Sequence, residues 1–248
     1  MSTEISKVLN PALYPDLVQS GGLSPALQRV LQQLSADLSV KEVVGISPGW
    51  AGVRKGSRES SVCVALYERA FHVDFWNQGV LYGQGWTSEL TEVGRAIEMF
   101  QVQKASTARM KSDFSWFDIG EGLVHERGAD SFVTEHWRSL KHWLTSKVPQ
   151  TSEMRRLAPI VLEAANRPEL RQLFPFRSLD VLCFSCTTGY PFSRDCPVAV
   201  PIERGRFRIL SAGGKSVLGE GDAVEAADIL VANLPQNCGP AIHGTAEK

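Results

Sequence analysis

The chain has 248 residues, of which 43% are apolar, and a formal net charge of −1. A chain of this size can bury a substantial core as one large domain or two small ones. The near-neutral charge without a basic stripe argues against nucleic-acid binding, and no apolar run approaches the roughly 20 residues of a membrane span. The N-terminus lacks the features of a signal peptide, so we expect a cytoplasmic protein with no membrane partner.

The sequence of the first half predicts a helix, then about four strands and a second helix. Residues 1–22 are interpreted as an irregular arm or one short helix, and Ser24-Pro25 is typical of a helix start. The closing helix places Leu90, Val93 and Ile97 on one apolar face. The predicted strands are residues 41–46, 61–66, 71–76 and 80–83.

The second half repeats this order at an offset of 136 residues (193 minus 57). Ser57-Arg58-Glu59 returns as Ser193-Arg194-Asp195, and the pair Gly83 and Gly85 returns as Gly219 and Gly221. Because one register holds across turn, strand and helix, we predict a tandem duplication. The predicted strands here are residues 179–185, 197–202, 207–210 and 216–219, before a helix that opens on an Asp222/Glu225 capping box.

We therefore predict an α+β fold: two tandem copies of a helix, four-stranded antiparallel sheet and helix unit, forming one pseudo-twofold body. The predicted parts are a 1–22 arm, a 23–100 first repeat, a 101–150 connecting insertion with one helix, a 151–236 second repeat and a 237–248 tail.

Five cysteines in a chain of this length do not indicate a disulfide framework. Cys183-x-x-Cys186, with Cys196, Cys238 and His243 further along, raises the possibility of a zinc site. Positions three apart in a strand face opposite ways, however, and no second CxxC motif exists. We therefore predict buried thiols and no metal.

The repeated Ser-Arg-acid turn has two interpretations. It can cap the strand entry structurally, or it can form a ligand site, built twice or once between the halves, in which Arg58 and Arg194 bind a carboxylate or phosphate. His125, near Asp118 and Glu121, is a further catalytic candidate as a carboxylate-supported base. Common cofactor and hydrolase motifs are absent, so no cofactor is expected.

All six tryptophans lie in the first 143 residues, so a cleft on that side could stack a planar or apolar ligand. The Gly83/Gly85 and Gly219/Gly221 pairs are too short to cradle a pyrophosphate and fit tight strand-to-helix turns.

The second half carries a family resemblance. Its residues are, in order, Phe184-Ser185, Thr188-Gly189, Pro191, Ser193, Asp195 and Pro197, then Leu234-Pro235, Gly239-Pro240-Ala241 and Gly244-Thr245-Ala246. This pattern resembles a bacterial domain family of unknown function described as natural-product biosynthesis proteins, and the likeness extends to the region around 79–100. The resemblance implies an accessory or tailoring role and supplies no catalytic residues.

The expected function is that of an accessory protein of bacterial natural-product biosynthesis, which binds a small molecule, carrier or precursor peptide between its two halves. Two alternatives stay open: a metal-independent tailoring enzyme, cyclase-like or transferase-like, and an immunity or protein-interaction module. The candidate site residues are Arg58, Glu59, His125, Arg194 and Asp195, and the expected partner is a small molecule or a pathway protein.

Overall fold

Antiparallel strands joined in sequence order build both sheets of this protein. A computed structural model describes residues 9–41, 48–146, 155–236 and 238–246, and the chain divides into two units, an N-terminal unit of residues 1–126 and a C-terminal unit of residues 127–248. Both units mix helices with an antiparallel sheet, which confirms the predicted α+β class.

The N-terminal unit contains a six-stranded sheet in the order β1-β2-β3-β4-β5-β6. Its helices are α1 (Pro15–Ser20), α2 (Leu23–Gln33), α3 (Leu90–Gln101), α4 (Thr107–Asp113) and α5 (Gly122–His125). Its strands are β1 (Val40–Lys41), β2 (Trp50–Lys55), β3 (Arg58–Val64), β4 (Phe71–Asn77), β5 (Val80–Thr87) and β6 (Phe117–Ile119).

Strand β4 shows how this unit builds its core. Phe71, Val73 and Phe75 are fully buried, whereas the residues between them are partly exposed. Alternation of this kind directs one face of the sheet towards the helices. Val93 and Ile97 of α3 are also fully buried, so the apolar face predicted for this helix is confirmed.

The C-terminal unit contains a five-stranded sheet in the order β11-β10-β9-β8-β7. Its helices are α6 (Ala129–Thr145), α7 (Ala158–Asn166), α8 (Pro168–Arg171) and α9 (Ala223–Ala232). Its strands are β7 (Phe174–Ser178), β8 (Val181–Ser185), β9 (Val198–Pro201), β10 (Phe207–Leu210) and β11 (Val217–Gly221).

One face of this second sheet is covered by helices. Leu182, Ala199 and Ile209 are buried, and Phe184 lies beside Trp137 of α6, with ring centroids 6.2 Å apart. Helix α9 begins with the predicted capping box, because the Asp222 side chain accepts from the Val224 and Glu225 amides while the Glu225 carboxylate accepts from the Asp222 amide.

Several details differ from the sequence-based predictions. The sheets have six and five strands, whereas about four were predicted in each. The additional strands are β2 and β6 in the first sheet and β7 in the second. Most of the strand predicted at 41–46 lies outside the described residues.

The glycine pairs lie within β5 and β11 rather than in turns. A Cβ atom on Gly83 would lie 2.1 Å from Cζ of Phe117, and one on Gly85 would lie 2.1 Å from the Trp116 carbonyl oxygen. The absence of side chains at Gly83 and Gly85 therefore allows β6 and the preceding residue, Trp116, to approach β5 closely.

In both units, a helix precedes five consecutive strands and a helix follows them. The 136-residue offset places Phe71 of β4 on Phe207 of β10. Among the described residues, no helix combines the length and the apolar character needed to cross a membrane.

Candidate functional site

The loop between β8 and β9 is fixed by two buried serines. Ser193 Oγ accepts a hydrogen bond from the Cys186 amide at 2.8 Å and lies 3.2 Å from Ser185 Oγ. Ser185 Oγ in turn accepts from the Ser193 amide at 3.0 Å and donates to the Thr187 carbonyl at 2.7 Å. Buried hydroxyls satisfied in this way hold the loop in one conformation.

The C-terminal segment, residues 238–246, is attached to the same loop through its backbone. The Ile242 amide donates to the Cys186 carbonyl, and the Thr188 amide donates to the Ile242 carbonyl. Further along, the Gly189 amide donates to the Gly244 carbonyl. These bonds bring two segments that are distant in sequence side by side.

Three cysteines meet where these segments converge, and we call Cys186, Cys196 and Cys238 the thiol cluster. The Sγ atom of Cys238 lies 2.9 Å from that of Cys186 and 3.1 Å from that of Cys196, while the Cys186 and Cys196 sulfurs are 4.0 Å apart. Cys196 is buried and the other two are half-buried. Burial raises the pKa of the Cys238 thiol to about 11 and also raises that of Cys196, so both thiols are protonated at neutral pH.

A cavity of about 170 Å³ adjoins the cluster, since Cys196 also lines it. Phe176, Val181 and Cys183 contribute to its walls, on the sheet face opposite the one that carries Leu182. The predominantly apolar wall makes this cavity, which we call the sheet pocket, a candidate binding site.

Arg194 supplies the positive charge of the sheet pocket. Its side chain is exposed, and within the described ranges it has neither a hydrogen bond nor an ion pair. The neighbouring Cys183 thiol has its pKa raised to about 11 by burial, an effect that the guanidinium of Arg194 partly offsets. The electrostatic influence of Arg194 therefore reaches into the pocket.

The four residues Ser193 to Cys196 have separate surroundings. Ser193 is buried in the loop, Arg194 lines the sheet pocket, and Cys196 joins the thiol cluster. Asp195 is exposed, and its charge acts on the Cys238 thiol, whose pKa it helps to raise. This one segment thus connects the pocket to the cluster.

The corresponding turn in the N-terminal unit has different contacts. The Arg58 guanidinium donates to the Phe100 carbonyl at 2.6 Å and to the Ala105 carbonyl at 3.1 Å, and it lies 4.5 Å from the centre of the Phe100 ring. Arg58 therefore binds backbone carbonyls at the end of α3 and just beyond it. Glu59 is exposed on β3.

His125 is buried rather than exposed in an acidic loop. Its side chain is 1% exposed, and its Nδ1 atom lies 3.0 Å from the hydroxyl of Tyr82, which also accepts a hydrogen bond from Asn77. Of the acids expected beside it, Asp118 lies 4.0 Å from the amine of Lys111, and Glu121 precedes α5. The Tyr82 hydroxyl, which was not predicted from the sequence, is thus a polar partner of this histidine.

The structure separates the two cysteines of the CxxC motif, because Cys183 lies within β8 whereas Cys186 follows the end of that strand. Cys183 faces the sheet pocket, whereas Cys186 joins the thiol cluster. The convergence of Cys186 with Cys196 and Cys238 was not predicted from the sequence. The sequence did contain a signal for this cluster. All three cysteines lie in loops, near the glycine and proline residues on which the family resemblance is based.

Residues 131–245 match the model of DUF6193, a family of unknown function. The matched range lies within the C-terminal unit and includes Arg194 and the thiol cluster, so this unit carries a domain of unknown function. No curated protein and no solved structure matches the chain.

Proposed function

We propose that this chain is a small-molecule-binding protein, and that its ligand occupies the sheet pocket with an anionic group on Arg194. The observation that carries the proposal is an exposed arginine without an ion pair among the described residues, at the wall of a largely apolar cavity. A ligand with a carboxylate or phosphate and an apolar body complements both features.

The arginine side chain suits this role because its planar guanidinium binds carboxylates and phosphates through two parallel hydrogen bonds. Phe176, Val181 and Val198 provide apolar contacts beside it. A charged pair beside apolar walls is less screened by water than one on an open surface, so the attraction contributes more to binding.

The cavity volume limits the size of the bound group. A cavity of about 150 Å³ can hold a benzene molecule, whereas pockets for drug-sized ligands begin at about 300 Å³. The sheet pocket, at about 170 Å³, therefore accepts a group the size of a single ring. The rest of a larger ligand, such as a carrier-bound intermediate or a precursor peptide, would extend into solvent.

The proposed role is that of an accessory protein of bacterial natural-product biosynthesis, and the sequence resemblance of the second half supports it. The common order of helix, five strands and helix in the two units, together with the 136-residue offset, supports descent from a tandem duplication. The ligand site proposed here belongs to the C-terminal unit alone, in place of the cleft between halves suggested by the sequence.

The tailoring-enzyme alternative has less support from the candidate residues. Arg58 binds backbone carbonyls, and His125 is 1% exposed. An enzyme would therefore depend on Glu59 or on Arg194 and Asp195, which are the exposed candidates. The interaction-module alternative draws no specific support from these contacts.

The proposal is tested by measuring the binding of ring-sized anions to the full chain. Benzoate, phenylacetate and phenyl phosphate would each be compared with a neutral amide or alcohol counterpart by ligand-observed NMR. Hydrogen bonds to a charged group contribute about 1.5–3 kcal/mol, so the anions should bind at least about tenfold more tightly. Equal binding of the neutral compounds, or no binding of any compound at millimolar concentration, would contradict the proposal.

A further inference from the structure

We propose that the thiol cluster is a binding site for one thiophilic divalent metal ion, with zinc as the ion to be tested. Cys186 follows β8, Cys196 precedes β9, and Cys238 follows α9, yet their sulfur atoms all lie within 4.8 Å of one another. Cysteine thiolates are among the preferred protein ligands of zinc in structural sites. The inference rests on this cluster and does not depend on the proposed ligand of the sheet pocket.

The sulfur triangle is close to the dimensions that a zinc ion requires. A tetrahedral site with Zn–S bonds of about 2.3 Å separates its sulfur atoms by about 3.8 Å. The Cys186–Cys196 distance of 4.0 Å is already near this value, and the 2.9 and 3.1 Å distances to Cys238 are shorter. Each short edge would have to lengthen by less than about 1 Å, which a small rotation of the Cys238 side chain can supply.

The backbone around the cluster is held in place before any ion binds. The Cys186 amide donates to Ser193 Oγ, and the Cys186 carbonyl accepts from the Ile242 amide. The Cys238 amide donates to the Pro235 carbonyl at 2.9 Å. A site whose ligand segments are already fixed loses less conformational entropy when it binds a metal.

Metal binding also changes the protonation of the cluster. Three S–H bonds break, three Zn–S bonds form, and the three protons pass to solvent, so the net charge of the site changes from 0 to −1. The dication takes the place of these three protons.

The three sulfur atoms leave one tetrahedral position for a ligand from outside the cluster. Within the described part of the chain, no histidine, aspartate, glutamate or further cysteine joins these atoms within 4.8 Å. Cys186 and Cys238 are half-buried, so solvent can approach the triangle. We infer that a water molecule completes the coordination, as it does in zinc sites that keep an open position.

A disulfide is the main competing interpretation. It would require one pair of sulfurs to approach to about 2.05 Å. Cys238 lies at nearly the same distance from Cys186 and from Cys196, so the geometry does not select one pair and would leave the third thiol over. A single ion, by contrast, uses all three sulfur atoms.

The test uses the full chain, fully reduced and then dialysed against zinc, with the bound metal counted by mass spectrometry. We expect one zinc ion per chain and protection of three of the five cysteines from alkylation. Cys186→Ser, Cys196→Ser and Cys238→Ser should each weaken zinc binding by more than about tenfold, at least as much as the loss of an outer-shell partner does. Cys63→Ser and Cys183→Ser are the matched controls and should retain the ion.

Any one of three results would overturn the proposal. The first is that the reduced chain binds no more zinc than the double variant Cys186→Ser/Cys238→Ser. The second is that alkylation modifies the three cluster thiols equally fast with and without zinc. The third is that re-oxidation links two of them while zinc is present in excess.

Cys196 is buried, so its serine variant can fail to fold. In that case, cobalt substitution of the unmodified chain supplies the measurement. Charge-transfer absorption with the intensity of three thiolate ligands supports the site, whereas its absence contradicts it.

Discussion

Ser193 Oγ accepts a hydrogen bond from the Cys186 amide at 2.8 Å, and this contact joins the strand end that carries one cluster thiol to the segment that carries Arg194. Ser57, its counterpart in the first half, is exposed and donates to the Asn77 side chain. The same residue at equivalent sequence positions thus has a buried role in one unit and a surface role in the other.

This difference predicts different costs for removing each hydroxyl. Ser193→Ala leaves the part-buried Cys186 amide without its acceptor and removes a buried hydroxyl, and we expect the free energy of unfolding to fall by about 1–3 kcal/mol. Ser57→Ala, the matched control, should change it by less than about 0.5 kcal/mol. Urea denaturation measures both values, and equal effects would refute the assigned roles.

Arg58 provides a test of the structural role of the repeated arginine. Arg58→Met removes the donor to the Phe100 and Ala105 carbonyls, so unfolding should become easier by about 1–3 kcal/mol. Glu59→Gln alters the exposed neighbour and should have little effect. The free energy of unfolding in urea distinguishes the two variants. A stable Arg58→Met protein would return Arg58 to the list of candidate functional residues.

The Tyr82 hydroxyl makes a similar prediction for the interior of the N-terminal unit. Tyr82→Phe removes a polar partner of His125 and the acceptor for Asn77. Because His125 is buried, thermal and urea unfolding should show a loss of about 1–3 kcal/mol. Tyr67→Phe is the control, since Tyr67 is 95% exposed, and it should leave stability unchanged. A neutral Tyr82→Phe substitution would show that this hydroxyl does not stabilise the buried histidine.

His136 predicts a pH dependence of stability in the C-terminal unit. Burial lowers the pKa of His136 from the usual 6.5 to about 4, although a backbone hydrogen bond to Pro175 opposes the shift. Between pH 4 and 6.5, His136 is therefore protonated in the unfolded chain but neutral in the folded protein. The stability contribution is complete above pH 6.5 and is lost as the pH falls towards 4, and it amounts to at most about 3.5 kcal/mol at roughly 1.4 kcal/mol per pKa unit.

The measurement is the free energy of unfolding as a function of pH for three proteins. His136→Phe, which keeps an aromatic ring beside Phe174, should flatten the profile in this window. His142→Gln, an exposed change on the same helix, should keep the profile of the unmodified chain. If the His136→Phe profile were as steep as the original, another group would be responsible.

Much of the secondary structure could be predicted because local patterns determine it. The apolar face of α3 and the capping box of α9 were identified from residues within a few positions of each other. Strand β7, Phe174–Ser178, was missed because Pro175 interrupts it and its pairing with β8 is what makes it a strand. Partners in the sheet, rather than local propensity, decide such segments.

The candidate sites were less predictable for a related reason. Cys186 and Cys238 are separated by 52 residues, and backbone bonds between the β8–β9 loop and the C-terminal segment bring them together. Arg194 was identified as a candidate from its repeated motif, but its position beside an apolar cavity depends on how that loop folds back over the sheet. Sequence spacing alone carries no information about such loop contacts.

The most direct test of the proposed function is calorimetric titration of a ring-sized carboxylate such as benzoate into three proteins: the unmodified chain, Arg194→Gln and Arg206→Gln. Arg206 is an exposed arginine of the same unit, so its substitution controls for net charge. We predict that Arg194→Gln weakens binding at least about tenfold, through loss of a charged hydrogen bond, and that Arg206→Gln leaves it unchanged. Equal affinities for all three proteins would contradict a ligand site built on Arg194.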